Sequence, residues 1–296
     1  MGALRSWDDQ NAPVAFVDAH GIRIETHEWL VPAPRAIVQI SHGIGEHAER
    51  YAALAADLNA AGFAVVADDH RGHGRTGEAQ WAGDPTRMGR LGPGGLSATI
   101  DAIATFSRMT REAYPGVPLV LLAHSWGSLM AQIALNRGLV DCDGLVLSGT
   151  AYRLPGFMDA GDLNRKHTSF GTTGAEWLSR DPEVARRWVE DPLTFPAETR
   201  KLLGLRDTLR LIGRPARRIS SQLPVLIQVG GDDTLGGRRS AERLARAYRE
   251  RSGITDVTTI VYEGARHEVY NETNRDEVIA DLVAWVEGHV LHRKGR

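Results

Sequence analysis

Leu119-Val120-Leu121-Leu122-Ala123-His124-Ser125-Trp126-Gly127-Ser128 is the stretch on which the reading of this chain turns. Four apolar residues, bounded upstream by Pro115-Gly116 and Pro118, have the length and composition of a short buried strand. From Ser128 onward, Leu129, Met130, Ile133 and Ala134 recur at helical spacing. A turn of small residues therefore joins a strand to a helix, with Ser125 at its apex. The pattern is one residue short of G-x-S-x-G, a turn so cramped that only small side chains fit beside the serine. Ala123 occupies the first glycine position, and an alanine fits there as long as its φ is negative. Such a turn lifts the hydroxyl out of the sheet at the start of a helix, where free N–H groups and the helix dipole favour developing negative charge. The ordinary alternative for Ser125 is a helix N-cap.

Working outward, strand and helix alternate. Val14 to Val17 and Ile22 to Leu30 read as strands hinged at His20-Gly21. Ala36 to Ser41 is a third strand that runs into His42-Gly43-Ile44-Gly45-Glu46-His47, and a helix with Tyr51, Leu54, Leu58 and Ala61 on its apolar side stops at Gly62. Phe63 to Ala67 is the next strand, ending in Asp68-Asp69-His70-Arg71-Gly72-His73-Gly74, after which a polar loop extends to about Gly95. Leu96, Ile100, Ile103 and Phe106 then mark a helix before the Ser125 strand, and Leu145 to Ser148 a strand after it. Beyond the segment 151–220, strands at Pro224 to Gly230 and Val257 to Tyr262 flank an Arg-rich helix around 238–251, and a last helix carries Ile279, Leu282, Val283, Val286 and Val290 on one face. Continuous rather than alternating apolar strands argue an α/β fold whose mostly parallel sheet is covered on both faces. Residues 151–220 break the rhythm, with no strand candidate and with charged, Pro-punctuated segments, and a helix-like cluster at Leu202 to Ile212. We read 1–150 and 221–296 as the core and 151–220 as a helical cap over the C-terminal edge of the sheet, where open α/β folds bind ligands.

A chain of 296 residues suffices for one large α/β domain with an insertion. A net charge of −2 gives no reason to expect nucleic acid or an anionic membrane as an obligatory partner. Lone Cys142 excludes an internal disulfide and suits a reducing cytoplasm. Met1 to Asn11 has no apolar core of signal-peptide length, no run approaches the ~18 apolar residues of a membrane span, and the Arg293 to Arg296 tail is expected to fray. These features point to a cytoplasmic protein without an integral membrane segment; they say nothing of its oligomeric state.

A serine hydroxyl is a poor nucleophile until a base takes its proton, and the base works best when a carboxylate fixes its tautomer. Asp232 or Asp233 lies just past one strand and His267 just past the following one. In a parallel sheet all three loops leave at the same edge, and Ser…Asp…His is the chain order of the α/β type of triad. Alternative roles are turn formation for the aspartates and backbone bonding for His267. His42-Gly43, after another strand, forms a tight loop able to aim the N–H of Ile44 at the same point as the N–H of Trp126. Two such donors hold the oxyanion of a tetrahedral intermediate.

Four separated motifs, His42-Gly43-x-Gly45-Glu46-His47-x-x-Arg50-Tyr51, Asp69-His70-x-Gly72-His73-Gly74, His124-Ser125-x-Gly127 and Tyr262-Glu263-Gly264-Ala265-x-His267, resemble the monoacylglycerol lipase and lysophospholipase-like α/β-hydrolases over roughly residues 36–290. The resemblance implies the α/β-hydrolase fold and no metal or organic cofactor. It implies Ser125 as nucleophile, Asp233 (by the register Gly230 to Asp233) as orienting carboxylate, His267 as base and then acid, and Ile44 and Trp126 as oxyanion donors. Glu46 and Arg50 fall where such lipases face the glycerol side of a small-molecule ester, and Trp177 opens a segment to Leu193 similar to the cap of bacterial members. Trp126 and Trp177 join them as substrate-contacting residues. Ala123 and Trp126 depart from the family pattern, and an indole beside the nucleophile is expected to narrow the pocket. The implied activity is a serine carboxylester hydrolase for monoesters of short to medium acyl groups; other acyl or C–C bonds share the machinery.

Three rivals remain. Gly43-x-Gly45-x-x-Ala48 after a strand, with Asp68-Asp69 ending the next, matches a dinucleotide fingerprint and would suit an NAD(P)-dependent oxidoreductase. It leaves Ser125, Asp233 and His267 unexplained. His70-x-x-His73 near His42 and His47 raises a metal site, but no carboxylate or cysteine completes a known ligand spacing, so structural hydrogen bonding is expected. A catalytically silent binding protein is the third, and the complete triad speaks against it.

Overall fold

The computed structural model describes residues 15–159, 161–220 and 222–292. Val14, Met1 to Asn11 and the Arg293 to Arg296 tail lie outside them. Eight strands form one sheet: β1 (Ala15–Val17), β2 (Arg23–Trp29), β3 (Ala36–Ser41), β4 (Phe63–Asp68), β5 (Leu119–His124), β6 (Gly144–Ser148), β7 (Val225–Gly230) and β8 (Val257–Tyr262). Their spatial order is β1-β2-β4-β3-β5-β6-β7-β8. The pairs β1–β2 and β2–β4 are antiparallel, and every pair from β4 to β8 is parallel. Parallel registers such as Ser41↔Ala123 and His124↔Ser148 bring the C-terminal ends of β3, β5 and β6 level at one edge.

Successive strand side chains point to opposite faces, and here both faces are dry. Leu121 and Ala123 join Leu145, Leu147, Ile227 and Val229 in one cluster, while Val120 and Leu122 join Val38, Ile40, Val65 and Leu226 in the other. That is why the strands read as unbroken apolar runs. The helices are α1 (Ala52–Ala60), α2 (Gly74–Gln80), α3 (Gly95–Ala113), α4 (Ser125–Asn136), α5 (Pro182–Glu190), α6 (Thr199–Arg210), α7 (Gly237–Ala247) and α8 (Arg275–Val286). Helices α4 and α7 pack on the first face, with part of α3, and α1 and α8 on the second.

Two local expectations need correction. The stretch expected to be loop up to Gly95 contains α2, which follows the tight turn at Gly72 (φ 76°) and Gly74 (φ 51°). Its residues Arg75 to Gln80 are polar and small, so no apolar periodicity announces them. The helix after β5 begins at Ser125 itself rather than Ser128, so the turn shrinks to a single residue.

Between β6 and β7 the described residues carry α5, α6, a short 3-10 turn at Thr168–Phe170 and irregular segments. Helix α6 is broken at Gly204 (φ 73°), and it is tied to the core by Asp207, whose Oδ2 accepts the Leu96 N–H (2.8 Å) at the start of α3. That carboxylate occupies the space a Cβ at Gly95 would fill, 2.1 Å from Oδ2. Among the described residues no helix is long and apolar enough to cross a membrane.

Candidate active site

Ser125 has φ 51°, a left-handed conformation that costs a non-glycine residue about 1–3 kcal/mol and is retained where the surroundings impose it. They impose it here through Gly127. A Cβ on that glycine would lie 2.3 Å from Ser41 O and 2.5 Å from His42 O, so the first turn of α4 lies directly on the end of β3. Ala123 keeps a negative φ inside β5, so the missing glycine costs nothing. Ser128 Oγ donates to Ser125 O (2.5 Å) and accepts from the Thr150 hydroxyl (2.8 Å), bracing the apex from below.

The loops after β7 and β8 deliver Asp233 and His267 to the same edge. His267 Nδ1–H donates to Asp233 Oδ1 (3.0 Å), and the same oxygen accepts the Leu235 N–H (2.9 Å). Asp232 is exposed and sends its N–H to Ala265 O, so of the two aspartates only Asp233 meets the imidazole. His267 Nε2 is buried and has no hydrogen-bond partner within the described protein. Burial by itself would lower the His267 pKa; the Asp233 carboxylate, aided by Glu268 and Glu46, outweighs it and raises the pKa above its ordinary value. His124, whose ring is 4.8 Å from that of His267, is pushed down to about 4 by burial and by its charged neighbour, so it stays neutral beside a protonated His267.

The loop after β3 is held by its own side chains. Gly43 N–H donates to Glu46 Oε1 (2.6 Å), which also accepts from Tyr51 OH (2.9 Å). His42 Nδ1–H donates to Gly43 O (2.7 Å) while its Nε2 accepts the His70 N–H (3.0 Å). Burial, with His70 and His73 alongside, keeps His42 well below its ordinary pKa and hence neutral, as that bonding requires. A Cβ on Gly43 would fall 2.7 Å from Glu46 Oε1 and 3.0 Å from Ser125 Cβ, so the loop passes against the serine. Trp126 sits in the first turn of α4, where N–H groups lack intrahelical acceptors.

Ser125, His267, Ile44, Trp126, Glu46, Arg50 and Trp177 all line one cavity of about 410 Å³. Its other walls are mostly apolar, with Leu129, Met158, Trp188, Phe195 and Leu211 among them. Glu46 and Arg50 face it with their polar atoms committed to the protein. Arg50 bonds Glu46 and makes a two-point pair with Glu268 (2.8 and 2.9 Å). Burial would raise the Glu268 carboxyl, but Arg50 holds it down at about 2. Glu268 went unnoticed in the sequence because its partner lies 218 positions away. The Trp126 indole, expected to narrow the pocket, lines it from within the wall. It is 2% exposed and packs on His73 and His70, with ring centroids 5.3 and 5.8 Å away.

The rival readings lose their residues. Asp69 is buried and accepts from Ala48 N–H, Arg75 N–H and His27, so both of its oxygens are engaged within the fold. His70 bridges Asp68 and Ser41, and His73 Nδ1 bonds Arg71 O. Among the described residues no group of histidine, cysteine and carboxylate side chains could hold a metal.

A mostly parallel sheet flanked by helices, with a left-handed serine between strand and helix at the edge that also carries the Asp–His pair, is the architecture of an α/β-hydrolase. The chain belongs to the Hydrolase_4 family (serine aminopeptidase, S33), whose profile matches residues 32–274. It is 30% identical to the monoacylglycerol lipase of Mycolicibacterium smegmatis (strain ATCC 700084 / mc(2)155) over 93% of this chain and 97% of that one. It is 29% identical to the human monoglyceride lipase, over 92% and 89% of the two chains. A thermostable carboxyl esterase from Bacillus coagulans, solved with glycerol, superposes with a TM-score of 0.77 at 25% identity, covering 94% of this chain and 98% of that one.

Proposed function

We propose that this protein is a serine carboxylester hydrolase acting on small lipid monoesters of short to medium acyl chain, through an acyl-enzyme on Ser125. The observation that carries the reading is that a strained serine and an Asp233-held imidazole open onto one apolar cavity. Ser125 Oγ attacks the ester carbonyl carbon as His267 Nε2 takes the hydroxyl proton. The N–H groups of Ile44 and Trp126 receive the oxyanion, each donor of this kind being worth ~10²–10³ in rate. Collapse expels the alcohol, which takes the proton from His267. Water then repeats the sequence on the acyl-enzyme to release the acid. No metal or organic cofactor enters any of these steps.

The relatives named above as monoacylglycerol and monoglyceride lipases support a glycerol monoester as the substrate class. Residues 151–220 serve as a cap over the cavity, with Trp177 against the acyl-transfer centre and 1–150 with 221–296 as the core. Glu46 and Arg50 shape the wall on the alcohol side, and a cytoplasmic location accords with the free Cys142 thiol, which burial pushes up to about 12. An ester panel varying acyl length and alcohol, including monoacylglycerols and lysophospholipids, tests the reading. A preference for monoesters of up to medium length is expected; a flat profile, or turnover confined to amides, overturns it. An organophosphonate should add one label, at Ser125.

The pH profile follows from His267. A base must be neutral to accept the hydroxyl proton, so kcat/KM rises as pH climbs through its pKa. Because Asp233 raises that pKa above the ordinary histidine value, the acid limb of kcat/KM is expected above about 6.5. An acid limb well below that value in a pH–rate series would contradict the assignment.

A further inference from the structure

The residues just before α5 form a strap along the His267 loop. His267 N–H donates to Trp177 O (3.3 Å) and Glu268 N–H to Leu178 O (2.7 Å), two consecutive main-chain bonds between the segments. The Trp177 ring covers the imidazole at 4.6 Å. Two side chains hold the pairing together. Arg266 Nη1 donates to Glu176 O (2.6 Å) and Ser179 O (2.9 Å), so a buried guanidinium is spent on strap carbonyls. Glu272, 2% exposed, is the junction. Its Oε1 accepts the N–H of Arg266 (2.7 Å) and of Arg180 (3.0 Å), one from each segment. Its Oε2 accepts Arg180 Nε (2.8 Å) and Thr273 N–H (2.9 Å).

We infer that Glu272 is a positioning residue for the acyl-transfer reaction, clamping the strap Glu176–Arg180 to the loop of His267 so that the imidazole is held and covered at the serine. The inference rests on the reading of His267 as the base. Glu272 is absent from the cavity lining, so it acts only through the backbone it ties. A carboxylate is the group this junction needs: it offers acceptors to N–H groups on two segments at once, and charge-assisted bonds are roughly twice as strong as neutral ones. Misplacing a base by about 1 Å costs on the order of 10²-fold in rate, so a loose strap is felt in kcat even though no substrate contact is lost.

Glu272→Ala is expected to lower kcat by about 10²-fold with KM within about threefold, and Glu272→Gln, which keeps one acceptor oxygen, by about tenfold. The His267 and Glu268 amides, protected by Trp177 O and Leu178 O, should exchange with deuterium faster in both. Arg180→Met removes the strap's side-chain hold at a position one-third exposed in the side chain, and decides the matter should the Glu272 variants fail to fold. It too should lower kcat more than it raises KM and should speed the same two amides. Folded variants with wild-type kcat, or with a lowered Tm but unchanged exchange at His267 and Glu268, overturn the inference. Ser125→Ala and His267→Ala run alongside: if they retain activity, the catalytic reading fails, whereas if they are inactive and the clamp variants are not, only the clamp fails.

Discussion

Ser125→Ala is expected to lower kcat for a p-nitrophenyl ester by about 10⁵–10⁶-fold, the range seen when a triad nucleophile is removed while the oxyanion donors remain. The fold should survive the change. The left-handed apex at φ 51° is imposed by Gly127 on the carbonyls of β3 and by Ser128 bonding Ser125 O, none of which involves the Ser125 hydroxyl. An alanine at the same φ has the same Cβ as the serine, so the melting temperature should move little. What is lost is the oxygen that forms the bond to the acyl carbon. Steady-state assays together with a thermal melt check this. A tenth of the wild-type rate in a folded variant would place the nucleophile elsewhere.

Asp233→Asn should cost about 10⁴-fold in kcat, the magnitude typical of replacing a triad carboxylate by its amide. Asp233 Oδ1 accepts the His267 Nδ1 proton and the Leu235 N–H together. An asparagine with its oxygen at the Oδ1 position still accepts both N–H groups but lacks the charge that stabilises the imidazolium; turned the other way, it presents an amide N–H to Nδ1. The ring then carries its proton on Nε2, where it has nothing with which to accept from the serine. KM should stay near the wild-type value, because Asp233 does not line the cavity. Asp232→Asn is the paired control. Its side chain is exposed and its structural contribution is a main-chain bond to Ala265 O, so activity within about twofold of wild type is expected. Equal losses in the two variants would remove Asp233 from its assigned role.

The strand edges were legible because both sheet faces are buried, which makes β3 to β7 stand out as apolar runs between turn residues. Ser125 was legible because the elbow is a local device: the small residue at 127 and the apolar strand before it are neighbours in sequence. Helix α2 was not, since a short polar helix after a glycine turn has no apolar face to display. The orientation of the Trp126 side chain was not legible for a related reason. Its position in the chain says that it flanks the nucleophile, but whether the indole turns into the pocket or onto His70 and His73 depends on residues more than fifty positions upstream.

The alternation of strand and helix, the serine at a turn, and an aspartate and a histidine after later strands in the order an α/β-hydrolase uses could all be read along the chain. These follow from local sterics and from apolar periodicity, which act between near neighbours. The folded geometry was needed to bring Asp233 rather than Asp232 against His267, to show that Glu46 secures the loop at Gly43, that Arg50 pairs with Glu268, and that Glu272 joins Arg180 to the backbone beside His267. Each of these is a hydrogen bond of a buried charged side chain, and several go to main-chain groups. Every residue but proline offers the same N–H and C=O, so nothing in the chain marks which ones burial will bring within reach.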